Sequence, residues 1–203
     1  MATATTARPV PALAPPPKPH RPRVLFVGTA FAAAGVCMAF LGLIAMYITV
    51  RSEALAGGNT WLPEGAVIPL TPPNVAMATL LMSVVTLQWA IYAIGNRDRT
   101  NAYLALGITV LLGAAFANST AYLYSQMGLV IADSAAGLLI YAISGAHLVL
   151  TIAALLYIGV VALRALGGEY TPRDHEGLSA AALFWYATVA VYAVIWYTIF
   201  ITK

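Results

Sequence analysis

"AGLLIYAISGAHLVLTIAALLYIGVVALRAL", residues 136–166, contains no Asp, Glu or Lys and meets its first arginine at Arg164. A helix rises about 1.5 Å per residue, so roughly 20 apolar residues cross the hydrocarbon core of a bilayer. The run exceeds that length and stops at Gly167-Gly168, a pair that favours helix termination. One side chain does not belong in lipid: His147 stands in the middle. The run itself decides the fold, and the role of its histidine decides whether the chain carries redox chemistry.

Working outward, four further runs have the same character. With the first they predict an all-α integral membrane bundle of five transmembrane helices, at 24–50, 72–94, 101–125, 136–166 and 178–201. Pro72 and Pro73 suit a first helical turn, where a missing N–H costs nothing. Composition agrees: 61% of the 203 residues are hydrophobic and 8% are charged, against about 25% charged in soluble domains. The lone Cys37 excludes an internal disulfide, and no CxxC pair is present. Residues 1–23, rich in Pro, Ala and Thr, lack the apolar core of a signal peptide. They predict a disordered or polyproline-like cytoplasmic tail, with 24–203 as the membrane domain.

The charges divide by side. Arg8, Lys18, Arg21 and Arg23 precede the first span, Arg97 and Arg99 follow the second, and Arg164 and Arg173 flank the end of the fourth. All fall on one face of a five-span chain. The other face has Arg51 and Lys203 with Glu53, Glu64 and Asp133. The excess of arginine and lysine places the N-terminus in the cytoplasm and the C-terminus outside. The outer connector "RSEALAGGNTWLPEGAVIPLTPP" is read either as an ordered loop over the bundle, with Trp61 at the interface, or as a floppy linker.

The middle of each span offers little to catalysis. None holds Asp, Glu or Lys, and His147 is the single histidine among them. Proton relays and ion pathways normally show intramembrane carboxylates or basic groups. A haem held by two histidines needs a second one, and a copper site needs several N or S ligands. Ser144 precedes His147 by three residues and Thr151 follows it by four, so the three share a helix face. This polar stripe is expected to be a structural interhelical hydrogen-bond site. The chain is expected to bind no haem, copper or other metal itself. The first span carries Gly28, Ala32, Gly35, Ala39 and Gly42, alternating intervals of four and three. Small residues at this spacing let helix backbones approach closely in lipid, and they are expected to form a packing face. Asn118, Ser119 and Thr120, inside the third span, are expected to bond to neighbours. Trp185, Tyr192 and Trp196 share a face of the aromatic last span and are expected to pack.

The order of these features resembles cytochrome c oxidase subunit 3 in its short, five-helix bacterial form, from about Val27 to the C-terminus. "VGTAFAAAGVCMAFLGLIAMYITVR" resembles the first helix of that form. Ser83, Thr86 and Gln88 in "SVVTLQWA" match polar positions of the second. "SGAHLVL" resembles the family segment H-G-x-H-V, and "LFWYATVAVYAVIWYTIFI" resembles the closing helix, usually Y-W-H-F-x-D-x-x-W. This sequence departs from the family by removing polarity. Val36 and Leu123 stand at glutamate positions, Ser144 at the first histidine, Tyr186 at a histidine, Val189 at an aspartate and Tyr192 at a tryptophan.

The resemblance implies that His147 is structural and that this is a divergent, non-catalytic subunit in a bacterial plasma membrane. Such a subunit packs against the catalytic subunit 1, which holds the haems and copper, and against other subunits of the oxidase. It holds phospholipids, supports proton uptake and protects the active site during O₂ reduction. Other readings are a subunit-3-like partner of a nitric oxide reductase, a small standalone transporter, and a haem-binding electron carrier. A transporter would be expected to show an internal repeat or broken helices, and a carrier a second histidine. No nucleic-acid partner is expected.

Overall fold

The computed structural model describes residues 23–172 and 174–202. Residues 1–22, Arg173 and Lys203 lie outside the described residues, and the expected character of the tail lies there with them. The helices are α1 (Val24–Ala56), α2 (Thr71–Gly95), α3 (Arg99–Gln126), α4 (Ala135–Leu166) and α5 (Glu176–Ile195). A π-helical segment, Trp196–Ile201, extends α5. All five are long and apolar enough to cross a membrane, and the described residues include no β-strand.

Local chemistry sets the helix ends. Asp98 Oδ1 accepts the N–H of Asn101 at 3.1 Å, and Ser134 Oγ accepts that of Gly137 at 3.0 Å. Each cap satisfies an N-terminal donor that the helix cannot satisfy itself. Pro72 and Pro73 occupy the first turn of α2. The first helix runs past residue 50 through "RSEALA" to Ala56, because nothing in that stretch breaks a helix before the Gly57-Gly58 pair. The last helix changes character at Trp196, and Thr202 N–H bonds the carbonyl of Tyr197 at 3.0 Å, a five-residue step. A widened turn of this kind is the π form. It leaves Ile199 and Phe200 buried and Trp196 Nε1 at 2.8 Å from Asn74 Oδ1 on α2.

Packing centres on α5, the most buried span, which touches α1, α2 and α4. The helices α2 and α3 form the most extensive pair, and α3 meets α4. The least buried span, α1, lies mainly against α5. Trp185, Tyr47, Phe116 and Phe200 are the largest fully buried side chains. Gly113 admits this packing: a Cβ there would stand 2.0 Å from Leu155 Cδ1 and 3.0 Å from Trp185 Cη2.

The face that α1 buries is not its small-residue face. Ala33, Phe40, Ile44 and Tyr47 are buried. Gly28, Ala32, Gly35, Ala39 and Gly42 are exposed, and nothing lies within 4 Å of a Cβ built on any of the three glycines. Inside the chain, bulky side chains fill the space against α5, so the small stripe faces outward. In α3, Asn118 is exposed, and neither it nor Ser119 has a side-chain hydrogen bond among the described residues. Thr120 turns back to its own helix, Oγ1 donating to Phe116 O at 3.0 Å. The expected bonds from these three to neighbouring helices are therefore absent, because the helical rotation puts Asn118 on the outer face.

The connector between α1 and α2 is ordered over the bundle. Trp61 Nε1 donates to Tyr47 Oη at 3.2 Å, with the two rings edge to face at 5.4 Å. Val67 N–H bonds Met127 O at 3.3 Å in the α3–α4 connection. At the opposite end, Glu176 Oε1 accepts the Phe26 N–H at 3.0 Å, so one carboxylate serves the N-terminal turns of both α5 and α1.

Candidate functional site

His147 is 1% exposed. Its Nε2 lies 3.0 Å from the Thr188 carbonyl of α5. A carbonyl only accepts, so Nε2 carries the proton and donates, and the bond joins α4 to α5. Thr151 Oγ1 is 3.4 Å from Nδ1 and donates to the His147 carbonyl at 2.9 Å. Three rings enclose the imidazole: Phe40 of α1 at 5.9 Å, Phe116 of α3 at 5.6 Å and Tyr192 of α5 at 5.2 Å. Phe116 and Tyr192 themselves meet edge to face at 4.9 Å. Edge-to-face aromatic pairs place positive ring edges on negative faces.

The polar stripe continues one turn earlier. Ser144 donates to Ile140 O at 2.5 Å and accepts from Tyr124 Oη of α3 at 2.9 Å. Ser144, His147 and Thr151 are all buried on one face of α4. The hydroxyl of Tyr192 donates to Pro73 O in α2 at 3.3 Å. Groups of α1, α3 and α5 therefore surround one histidine of α4, and Tyr192 links the cluster to α2.

A second polar seam runs between α2, α3 and α5. Trp185 Nε1 donates to Ser83 Oγ at 2.9 Å, Thr86 and Thr109 hydroxyls share a bond of 2.8 Å, and Tyr186 Oη donates to Gln88 Oε1 at 2.9 Å. Ser83, Thr86 and Gln88 thus join α2 to α3 and α5.

The three positions that the resemblance sets against acidic ones lie in or against the core. Leu123 and Val189 belong to the buried core, and Val36 packs against it, half-buried. No Asp, Glu, Lys or Arg among the described residues is buried, and no three His, Cys, Asp or Glu side chains cluster there. Chemically, this centre fixes helix positions through hydrogen bonds and ring contacts.

Sequence reasoning singled out Ser144, His147, Thr151, Tyr192 and Trp185. It missed Phe40, Phe116, Thr188, Gly113 and Glu176. Phe40 and Tyr47 share the seven-residue spacing that marks the buried face of α1. Thr188 contributes a backbone carbonyl, for which a sequence carries no signal.

Five membrane-length helices tied by buried hydroxyls, aromatic rings and one hydrogen-bonded histidine define a multi-pass membrane bundle with a polar knot at its centre. Residues 24–203 match the family described as Cytochrome c oxidase subunit III, and the chain belongs to that family. It is 30% identical over 173 residues to Cytochrome c oxidase subunit 3 of Strongylocentrotus purpuratus, covering 84% of this chain and 66% of that one. With the Paracentrotus lividus protein of the same name it shares 30% over 182 residues, 88% of this chain and 67% of the relative. With that of Gallus gallus it shares 36% over 132 residues, 64% and 50%. The chain therefore spans about two thirds or less of the length of these relatives.

Proposed function

We propose that this chain is a non-catalytic membrane subunit of a haem–copper terminal oxidase in a bacterial plasma membrane. It packs against the catalytic subunit 1 and other subunits, holds phospholipid, and supports assembly and durability during O₂ reduction. Haem and copper belong to the partner, and the N-terminus of this chain is cytoplasmic. The observation that carries the reading is the family match across the whole helical domain, residues 24–203. The interior supports the non-catalytic part, since His147 is engaged by Thr188 and Thr151 and the former acidic positions hold Val36, Leu123 and Val189. These side chains offer no proton-carrying group, so the subunit acts by packing. The outward stripe Gly28, Ala32, Gly35, Ala39 and Gly42 is the face offered to a neighbouring helix of the complex.

The test compares the oxidase with and without the chain. Without it, the complex is expected to keep its haems and its initial rate of O₂ reduction, but to lose activity sooner in detergent. An unchanged lifetime together with a shifted pH–rate profile would overturn the reading, because the subunit would then act through protons.

A further inference from the structure

The turn joining α2 to α3 places two cations beside the α4–α5 connection. Arg97 holds a left-handed backbone conformation, φ 62°, which costs any side chain more than glycine. Strain of this kind persists where the surrounding structure holds the backbone in place. Arg99 reaches across to the other loop: its Nη1 lies 3.2 Å from where a Cβ on Gly168 would stand. Between the loops lies a cavity of about 300 Å³ whose lining includes Arg97, Arg99, Tyr103 and Tyr170. Tyr103 Oη is occupied, donating to Ala165 O at 3.1 Å. The hydroxyl of Tyr170 lies against Gly177 and is buried without a hydrogen-bond partner.

Among the described residues, no acidic side chain lines this cavity. Two of the nearby carboxylates, Asp98 and Glu169, are engaged elsewhere, while Asp174 pairs through its backbone with Thr171 at the edge of the cavity and is not part of its lining. Asp98 takes the Asn101 N–H at 3.1 Å and its side-chain amide at 2.6 Å, and these bonds hold its carboxyl below the usual range. Glu169 accepts from Arg164 at 2.6 Å, the one ion pair among the described residues. Two guanidinium groups are thus left on a concave space at the level where α2 and α4 end and α3 and α5 begin. Guanidinium forks match phosphate oxygens, and basic pockets at the ends of membrane helices suit acidic lipid headgroups.

We infer that the cavity between the α2–α3 and α4–α5 connections is an anion site that takes a phosphate group on Arg97 and Arg99. A lipid headgroup and free phosphate share this chemistry. The site rests on membrane placement of the bundle and not on the oxidase reading, and with a lipid source it deepens the lipid-holding part of that reading.

The experiment uses the full chain purified alone in detergent, so a failure to associate with an oxidase, scored separately by co-purification, does not affect it. Native mass spectrometry compares retained dioleoyl phosphatidylglycerol with dioleoyl phosphatidylcholine. Melting temperature compares inorganic phosphate with chloride at equal ionic strength. Arg97→Gly, Arg99→Gln and Arg164→Gln are compared with the parent, and Arg97→Gly relieves the φ 62° strain, so it is expected to melt no lower. For a lipid source, phosphatidylglycerol is retained preferentially, and retention falls about tenfold in Arg97→Gly and Arg99→Gln but not in Arg164→Gln. For a free-phosphate source, the two lipids are retained alike, and phosphate raises the melting temperature of the parent and Arg164→Gln alone. Equal losses in all three variants, or no loss in either arm, would overturn the site.

Discussion

At the scale of single residues, His147 joins α4 to α5 and is walled by Phe40, Phe116 and Tyr192. Replacing it by alanine removes one interhelical hydrogen bond, about 1 kcal/mol, and opens a cavity among the three rings. Together these are expected to destabilise the chain by about 2–4 kcal/mol, read as a lower unfolding midpoint in mixed micelles. A midpoint equal to the parent's would mean that the knot contributes no stability. The glycines separate by the same physical test. Gly113→Ala drives a methyl into Leu155 and against the rigid Trp185 ring, with an expected cost of about 1–3 kcal/mol. Gly35→Ala meets open space and is expected to stabilise the isolated chain by up to about 1 kcal/mol through helix propensity. The two substitutions are therefore expected to shift the melting temperature in opposite directions.

At the scale of elements, α1 is held by few contacts outside α5, which gives Glu176 leverage. Its carboxylate accepts the Phe26 N–H, a donor left unsatisfied by the first turn of α1, and favours the positive ends of both helix dipoles. Glu176→Ala is expected to cost about 1 kcal/mol and to raise amide exchange in the first turn of α1 before the rest of the helix. Exchange that is unchanged there, or that rises uniformly along the chain, would show that the contact does not anchor α1. The connector between α1 and α2 is anchored by Trp61 on Tyr47 and by Val67 on Met127. Its order comes from partners on α1 and on the α3–α4 connection, which explains why its own Gly- and Pro-rich sequence fits either a linker or an ordered loop.

At the scale of the whole molecule, the chain covers its bulky surfaces internally and leaves its small-residue stripe outside. The proposed contact with a neighbouring helix of the complex rests on that stripe. Gly35→Leu is expected to leave the isolated chain folded, since a Cβ there meets nothing within 4 Å beyond its own helix, while reducing co-purification with the oxidase several-fold. Undiminished co-purification would mean that this face meets lipid instead.

The sequence by itself determined the class, the number of spans and the polar positions of α4, because length, hydropathy and helical periodicity are properties of a segment alone. The short motifs around His147 and the closing aromatic helix also made the family legible. Tertiary structure decided which polar groups serve as partners and which glycines are packed. Gly35 and Gly113 are chemically the same residue, yet one faces open space and the other lies under Trp185. Asn118 and Ser144 both sit inside apolar helices, yet one is exposed and the other bonds Tyr124. The difference lies in the rotation of each helix about its axis. That rotation is set by bulky side chains such as Phe40, Phe116 and Trp185 filling the space around α5, a condition on several segments at once that no single segment encodes.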